Sequence, residues 1–140
     1  MVISICDLDM KIKFMGSGSA FTTDLHNFHS NLLLSSNLSD RMLLIDCGSD
    51  LCRAFAYHKL DFQCVTDLFI THLHADHVGG LEWLCFNSKY NSSNENKIKL
   101  HLADDLVETL WDHKLSGSLS YLQGGRGKLM EFFDLNIIEP

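Results

Sequence analysis

A single proline, Pro140, and no Cys-x-x-Cys pair are what this sequence is shortest of. Five cysteines at 6, 47, 52, 64 and 85, odd in number and without paired spacing, argue against a disulfide framework and against a thiolate zinc knuckle. Cys6, Cys47, Cys52, Cys64 and Cys85 read instead as reduced, mostly buried small hydrophobes. No window approaches the roughly 18 consecutive apolar residues that a membrane span needs. The start, Met1-Val2-Ile3-Ser4-Ile5-Cys6-Asp7, has no basic signal-peptide region, so the cytosol is the expected location and no membrane contact is expected. Basic residues are also scarce: 11 Lys+Arg against 18 Asp+Glu leave a net charge of -7, which excludes a surface built for broad attraction to nucleic acid or anionic lipid. A local anion site stays compatible with that balance. There is no internal repeat and no low-complexity block. What remains, 46% hydrophobic and 21% charged over 140 residues with mean hydropathy +0.02, is a globular composition. One domain over residues 1–140 is expected, with 1–9 as an extension.

Met10-Lys11-Ile12-Lys13-Phe14-Met15 alternates with the period of a strand, and Gly16-Ser17-Gly18-Ser19 breaks it as a turn or as a source of backbone N–H groups for an anion. Leu32-Leu33-Leu34 and Met42-Leu43-Leu44-Ile45 predict two antiparallel strands joined by a hairpin. From Asp46 the pattern becomes strand and helix in alternation. Leu51, Ala54, Phe55 and His58 share a helical face, with Asp50 placed to cap it. Leu68-Phe69-Ile70-Thr71 predicts a short buried strand, Leu81, Leu84 and Cys85 a helix after Gly79-Gly80, and Ile98 to Leu102 another strand. A last helix puts Val107, Leu110, Trp111 and Lys114 in register behind a capping box, Asp105-x-x-Glu108. Asn87 to Asn96 and Ser116 to Lys128 read as loops, and Phe132-Phe133 opens a final apolar run. A meander feeding strand-helix units predicts an α+β or α/β fold, a mixed sheet with helices on one face.

The chemistry concentrates in Thr71-His72-Leu73-His74-Ala75-Asp76-His77-Val78-Gly79-Gly80, three imidazoles and a carboxylate between a buried strand and a helix. Strand ends of this kind gather ligands. With eight His and thirteen Asp in the chain, chance assembly of this pattern is on the order of a few in a thousand, so a surface cluster without function is the weaker reading. His72 and His74, two apart, can face one ion, while Asp76 and His77 turn with the loop toward a second. Imidazole and carboxylate suit Zn, with Mn or Fe as alternatives, and two ions roughly 3.5–4 Å apart can activate a shared water and clamp a phosphoryl or carbonyl oxygen.

His-x-His-x-Asp-His, together with Phe14 to Ala20 and Leu44-Ile45-Asp46-Cys47-Gly48, resembles the metallo-β-lactamase fold. The glycine turn and Ile-Asp-Cys-Gly are most similar to its ribonuclease Z branch. Ser19-Ala20-Phe21-Thr22-Thr23, Gly80 to Leu84 and Leu110-Trp111-Asp112 resemble phage relatives that hydrolyse cyclic mononucleotides to blunt Pycsar immunity. The resemblance implies an αββα sandwich, two divalent metal ions, His72 and His74 on the first and Asp76 and His77 on the second, with Asp76 also a catalytic proton acceptor. It makes Asp46 the buried carboxylate behind a ligand histidine, fixing its tautomer. The residue types alone leave a turn or capping role for Asp46 open. The family also uses a third His, a bridging Asp and a final His downstream, and no residue here fills those places. His101 and His113 fall inside a strand and a helix and read as structural; His26 and His29 read as surface or packing residues.

Ser19, Arg126 and Lys128 are candidate substrate contacts. Gly124 to Lys128 is no Walker A loop, because Leu122 and Leu129 stand where Gly and Ser or Thr are needed. The expected activity is metal-dependent phosphodiester hydrolysis of a small anionic substrate, a cyclic nucleotide, by a homodimer. The alternatives are tRNA 3′ processing, which the acidic balance disfavours, and an inactive metal-binding fragment. Four ligands of an expected seven, and an ending on Asn136-Ile137-Ile138-Glu139-Pro140, predict the N-terminal half to two-thirds of the sandwich, with a sheet face bearing Leu32, Leu34, Leu43 and Ile45 left partly uncovered.

Overall fold

Alternating apolar residues early in the chain and buried runs later build a six-stranded mixed sheet. The structure, a computed structural model, describes residues 10–91 and 96–139. The expected extension at 1–9, with Cys6, and the middle of the Asn87–Asn96 segment lie outside the described residues. Strands β1 (Met10–Gly16), β2 (Asn31–Ser36) and β3 (Ser39–Ile45) form the antiparallel meander. Then β4 (Asp67–Phe69), β5 (Ile98–Ala103) and β8 (Phe133–Ile138) add on in parallel, in the order β1-β2-β3-β4-β5-β8. Helices α1 (Leu51–Tyr57), α2 (Ala75–Val78) and α3 (Leu81–Tyr90) carry the chain between parallel strands.

Register explains the core. Leu33, Leu44, Leu68 and Leu100 pair in one transverse row and are all buried. Leu51, Ala54 and Phe55 of α1 and Leu81, Leu84 and Cys85 of α3 join the same cluster, so the helices cover this face. The adjacent rows, Ile12-Leu34-Leu43 and Phe14-Leu32-Ile45-Phe69, point to the opposite face. There Ile12 and Phe14 are exposed and the other five half-buried, the outcome foreseen for Leu32, Leu34, Leu43 and Ile45.

Several local expectations are corrected. The strand predicted to Thr71 stops at Phe69: Ile70 N–H still donates to His101 O at 3.2 Å, but Thr71 turns its N–H to the Asp46 side chain, where the histidine loop begins. Asp50 stands at the N-cap of α1 without capping it; its carboxylate accepts the backbone N–H of His29 at 3.0 Å instead. No capping box forms at Asp105: a 3-10 turn, Asp104–Leu106, leads into α4 (Val107–Leu110) without any side-chain cap. Lys114 is exposed. A π-helical turn, Trp111–Leu115, follows α4 and shifts the register by one, burying Leu115. The helical run then continues as α5 (Ser116–Leu119), so the predicted loop is confined to a small hairpin, β6 (Tyr121–Leu122) and β7 (Gly125–Arg126), and its flanks. Phe132 closes the one-turn α6 (Leu129–Phe132), and only Phe133 opens the final strand. No helix among the described residues is long and apolar enough to cross a membrane.

Candidate metal centre

β1 and β3 both finish at the end of the sheet where β4 delivers the chain to the histidines. Three loops therefore meet there, 17–30, 46–50 and 70–80. The 46–50 turn is tied to its neighbours by backbone bonds: Cys47 N–H donates to His77 O at 2.7 Å, and Gly80 N–H to Cys47 O at 2.8 Å. Asn31, fully buried, donates to His29 O at 2.9 Å and accepts Gly48 N–H at 2.8 Å, which joins the 17–30 loop to the same turn. A Cβ on Gly48 would collide with Asp76 O, and one on Gly80 with Gly48 O, so both glycines permit the close approach expected of Gly79-Gly80.

Asp46 sits at the centre of this junction. It is buried, with a left-handed φ of 63°, a conformation that Asp tolerates better than most residues. One oxygen, Oδ1, accepts Thr71 N–H at 2.9 Å; Oδ2 accepts His77 Nδ1 at 2.7 Å; and the Thr71 hydroxyl lies 2.9 Å from both. A His77 that donates from Nδ1 keeps its lone pair on Nε2. That nitrogen faces Asp76 Oδ2 at 3.3 Å. Beside it, His72 Nε2 lies 3.2 Å from His74 Nδ1, and the His72 and His77 rings are 3.9 Å apart between centroids.

The four sequence-predicted ligands are thus brought together as two donor pairs, with Asp46 behind them. Among the described residues no group of three or more His, Cys, Asp or Glu side chains could hold one ion. Cys47 lies next in the chain to Asp46, but burial first, then Cys85 and Asp46, push its thiol well above the usual range, so it stays a neutral packing residue. Ser19 is exposed on the 17–30 loop, at the same end of the sheet as the histidines. Arg126 lines a hollow with Lys89, Gln123 and Glu131 where α3 finishes, and Lys128 follows two residues on; the structure does not bring this hairpin to the histidines. His101 bonds Asp67 at 2.8 Å and Asn136 at 2.9 Å within the sheet, a structural role. A hollow of about 830 Å³ lies where the parallel strands begin, between Arg41, Asp67, Lys97, Lys99 and Asp134, away from the ligand pairs. Thr71 and Asn31 join the site without a local signal of their roles, Thr71 from inside the histidine motif and Asn31 from the start of β2.

A family model described as Anti-Pycsar protein Apyc1 matches residues 10–140. The chain belongs to the Apyc1 family. Anti-Pycsar protein Apyc1 of Paenibacillus harenae is 42% identical over 131 residues, covering 92% of this chain and 50% of that protein. The Paenibacillus xerothermodurans protein of the same name is 37% identical over 132 residues, 94% of this chain and 50% of that one. Its namesake in Bacillus phage BSP38 is 35% identical over 111 residues, 79% and 42%. This Apyc1-family chain therefore spans about half the length of the curated relatives it matches. Among solved structures, the short form of human tRNase Z is 27% identical with a TM-score of 0.59 over 71% of this chain and 38% of that one. Unliganded yeast PDE1 is 14% identical with a TM-score of 0.63 over 94% and 51%. The Bacillus subtilis metallo-β-lactamase fold protein YhfI is 20% identical, TM-score 0.60, over 95% and 47%. The mixed sheet of the Apyc1-family chain is part of a metallo-β-lactamase fold, as its residues led one to expect.

Proposed function

We propose that this chain carries the first ligands of a dinuclear hydrolase centre that opens the phosphodiester of a cyclic nucleotide. The observation that supports this best is the pairing of donors behind Asp46. Adjacent donors on a tetrahedral ion with bonds of about 2.0–2.1 Å lie roughly 3.3–3.4 Å apart. His72 Nε2 to His74 Nδ1 is 3.2 Å and Asp76 Oδ2 to His77 Nε2 is 3.3 Å. The second pair sets a lone pair against a carboxylate, which favours an electropositive centre beside them. The donor set therefore fits divalent ions, with zinc the best match to imidazole and carboxylate and manganese or iron able to replace it. Such ions would polarise a phosphoryl oxygen and lower the pKa of an attacking water.

The chain's own residues orient that chemistry. His72 and His74 form one donor pair; Asp76 and His77 form the other, and Asp76 in addition accepts one proton of the attacking water while the water oxygen bonds to phosphorus, the ring P–O ester bond breaks and the released sugar oxygen takes up a proton from solvent. Ser19, on the rim, contributes a polar contact to the substrate. The family match supports a cyclic nucleotide over other phosphodiesters, and the net charge of -7 supports a small anion over an RNA. The cytoplasm and a homodimeric assembly complete the reading.

The test is hydrolysis of a panel of cyclic mononucleotides with added Mn or Zn, compared with His72→Ala, His74→Ala and Asp76→Asn. Turnover lost in the three variants supports the proposal; no turnover on any cyclic nucleotide while another phosphodiester is cleaved overturns the substrate. The likeness to human tRNase Z favours a second reading, tRNA 3′ processing, which cleavage of a precursor tRNA by the same preparation reveals. An ion-binding chain without catalysis is the third, and would bind zinc yet turn over neither substrate.

A further inference from the structure

We propose that Thr71 is a positioning residue through which the Asp46 carboxylate sets the tautomer of His72 as well as that of His77, so that one buried acid orients both donor pairs. The use of this arrangement rests on the metal reading above; the tautomer itself is a property of the chain.

The Thr71 hydroxyl has one proton and three neighbours able to take it: Asp46 Oδ1 and Oδ2, each at 2.9 Å, and His72 Nδ1 at 3.0 Å. A proton given to His72 would leave the hydroxyl lone pairs facing both oxygens of a carboxylate at hydrogen-bond distance. Given to Asp46, it satisfies the acid and turns a lone pair toward His72 Nδ1. That contact is attractive only if Nδ1 carries the proton and donates it to Thr71 Oγ1. The bare nitrogen of His72 is then Nε2, the atom already 3.2 Å from His74 Nδ1.

Two further contacts fix the geometry. Thr71 N–H donates to Asp46 Oδ1 at 2.9 Å, while Asp46 N–H donates to Phe69 O at 2.9 Å, so hydroxyl and carboxylate cannot drift apart without breaking backbone bonds. Asp46 also accepts His77 Nδ1 directly at 2.7 Å. The acid thus reaches His77 in one hydrogen bond and His72 in two, and in both rings it leaves Nε2 free. A hydroxyl is required at position 71; the methyl is dispensable.

The test reads the rings without metal or substrate. Two-bond proton–nitrogen correlation spectra of the metal-free protein, with His72→Gln to assign the signals, are expected to show the His72 proton on Nδ1. Thr71→Ser should keep it there, while Thr71→Val should move it toward Nε2, leave His77 protonated on Nδ1, and weaken zinc binding about 10–100-fold. A His72 proton on Nε2 in the unmodified chain overturns the proposal without need of any variant. So does a Thr71→Val chain whose His72 ring and zinc affinity are unchanged. Absence of hydrolysis in every form counts against the proposed function alone, because the ring spectra do not depend on it.

Discussion

Two buried aspartates with the same side chain are put to opposite use. Asp67 is held by Arg41, by His101 at 2.8 Å and by Thr66 at 2.8 Å. Burial alone would raise its pKa, but hydrogen bonds from Arg41, His101 and Thr66 and the charge of Arg41 outweigh that and lower it to about 2. A carboxylate whose folded pKa lies below its unfolded value stabilises the fold above the unfolded value, near 4, and loses that contribution as pH falls toward the folded one. The melting temperature should therefore fall between about pH 5 and pH 2, and Asp67→Asn should melt lower at neutral pH with a shallower acid limb. An equally steep limb in the variant would remove Asp67 as its cause. Asp46, by contrast, gathers Thr71 and His77 with no lysine or arginine among its bonded partners. Asn tolerates the same positive φ, so Asp46→Asn keeps the turn while it removes the charge and puts an NH2 donor in place of one of the two accepting oxygens. It should weaken zinc binding at both donor pairs about 10–100-fold, where Thr71→Val weakens one, a contrast that competition titration with a zinc chelator measures.

At the scale of elements, the site depends on how tightly the 46–50 turn sits on the start of α3. Gly80→Ala would force its Cβ onto Gly48 O and Cys47, and overpacking of this kind costs about 1–3 kcal/mol. Gly117, inside α5 with open space around its Cβ position, is the control: Gly117→Ala should stabilise by about 0.5–1 kcal/mol. Thermal melts of the two variants should move in opposite directions, and a shared direction would rule out the clamp. The strands were legible because burial follows the period-2 pattern, as with Ile98, Leu100 and Leu102. The nearness of His72 to His74 and of Asp76 to His77 was legible because each pair is one or two residues apart in one short loop, whereas the bonds that orient their rings come from Asp46 and Thr71. The helix after Leu110 was not, for a physical reason: Leu110 and Leu115 are five apart, and only a π turn lets both face the core. A 3.6-residue period chooses Lys114 instead. Likewise the glycines after Ser116 suggested a loop, yet of these only Gly124, at φ 103°, uses the left-handed conformation. Thr71 and Asn31 act across 25 and 17 residues of sequence, through Asp46 and Gly48, and no local pattern reports a bond of that reach.

At the scale of the molecule, the sheet has one face under helices and one that is largely bare. Ile12 and Phe14 are 55% and 66% exposed there, beside half-buried Leu32, Leu34, Leu43, Ile45 and Phe69. Each such side chain gains about 1.5–3 kcal/mol on full burial, so several together outweigh the cost of holding two molecules in contact only if charge repulsion is small. A net charge of -7 on each copy supplies that repulsion, and salt screens it over about 10 Å at 0.1 M. The chain should bind a hydrophobic dye and self-associate reversibly, and added salt should strengthen the association, the reverse of an ion-paired interface. Phe14→Lys discriminates between the two forces. It lowers the net negative charge, which by itself would promote association, while it removes the most exposed apolar side chain of the face. Weaker dye binding and weaker association in that variant, by sedimentation across a concentration series, would therefore assign the contact to the apolar face, and stronger association would assign it to charge.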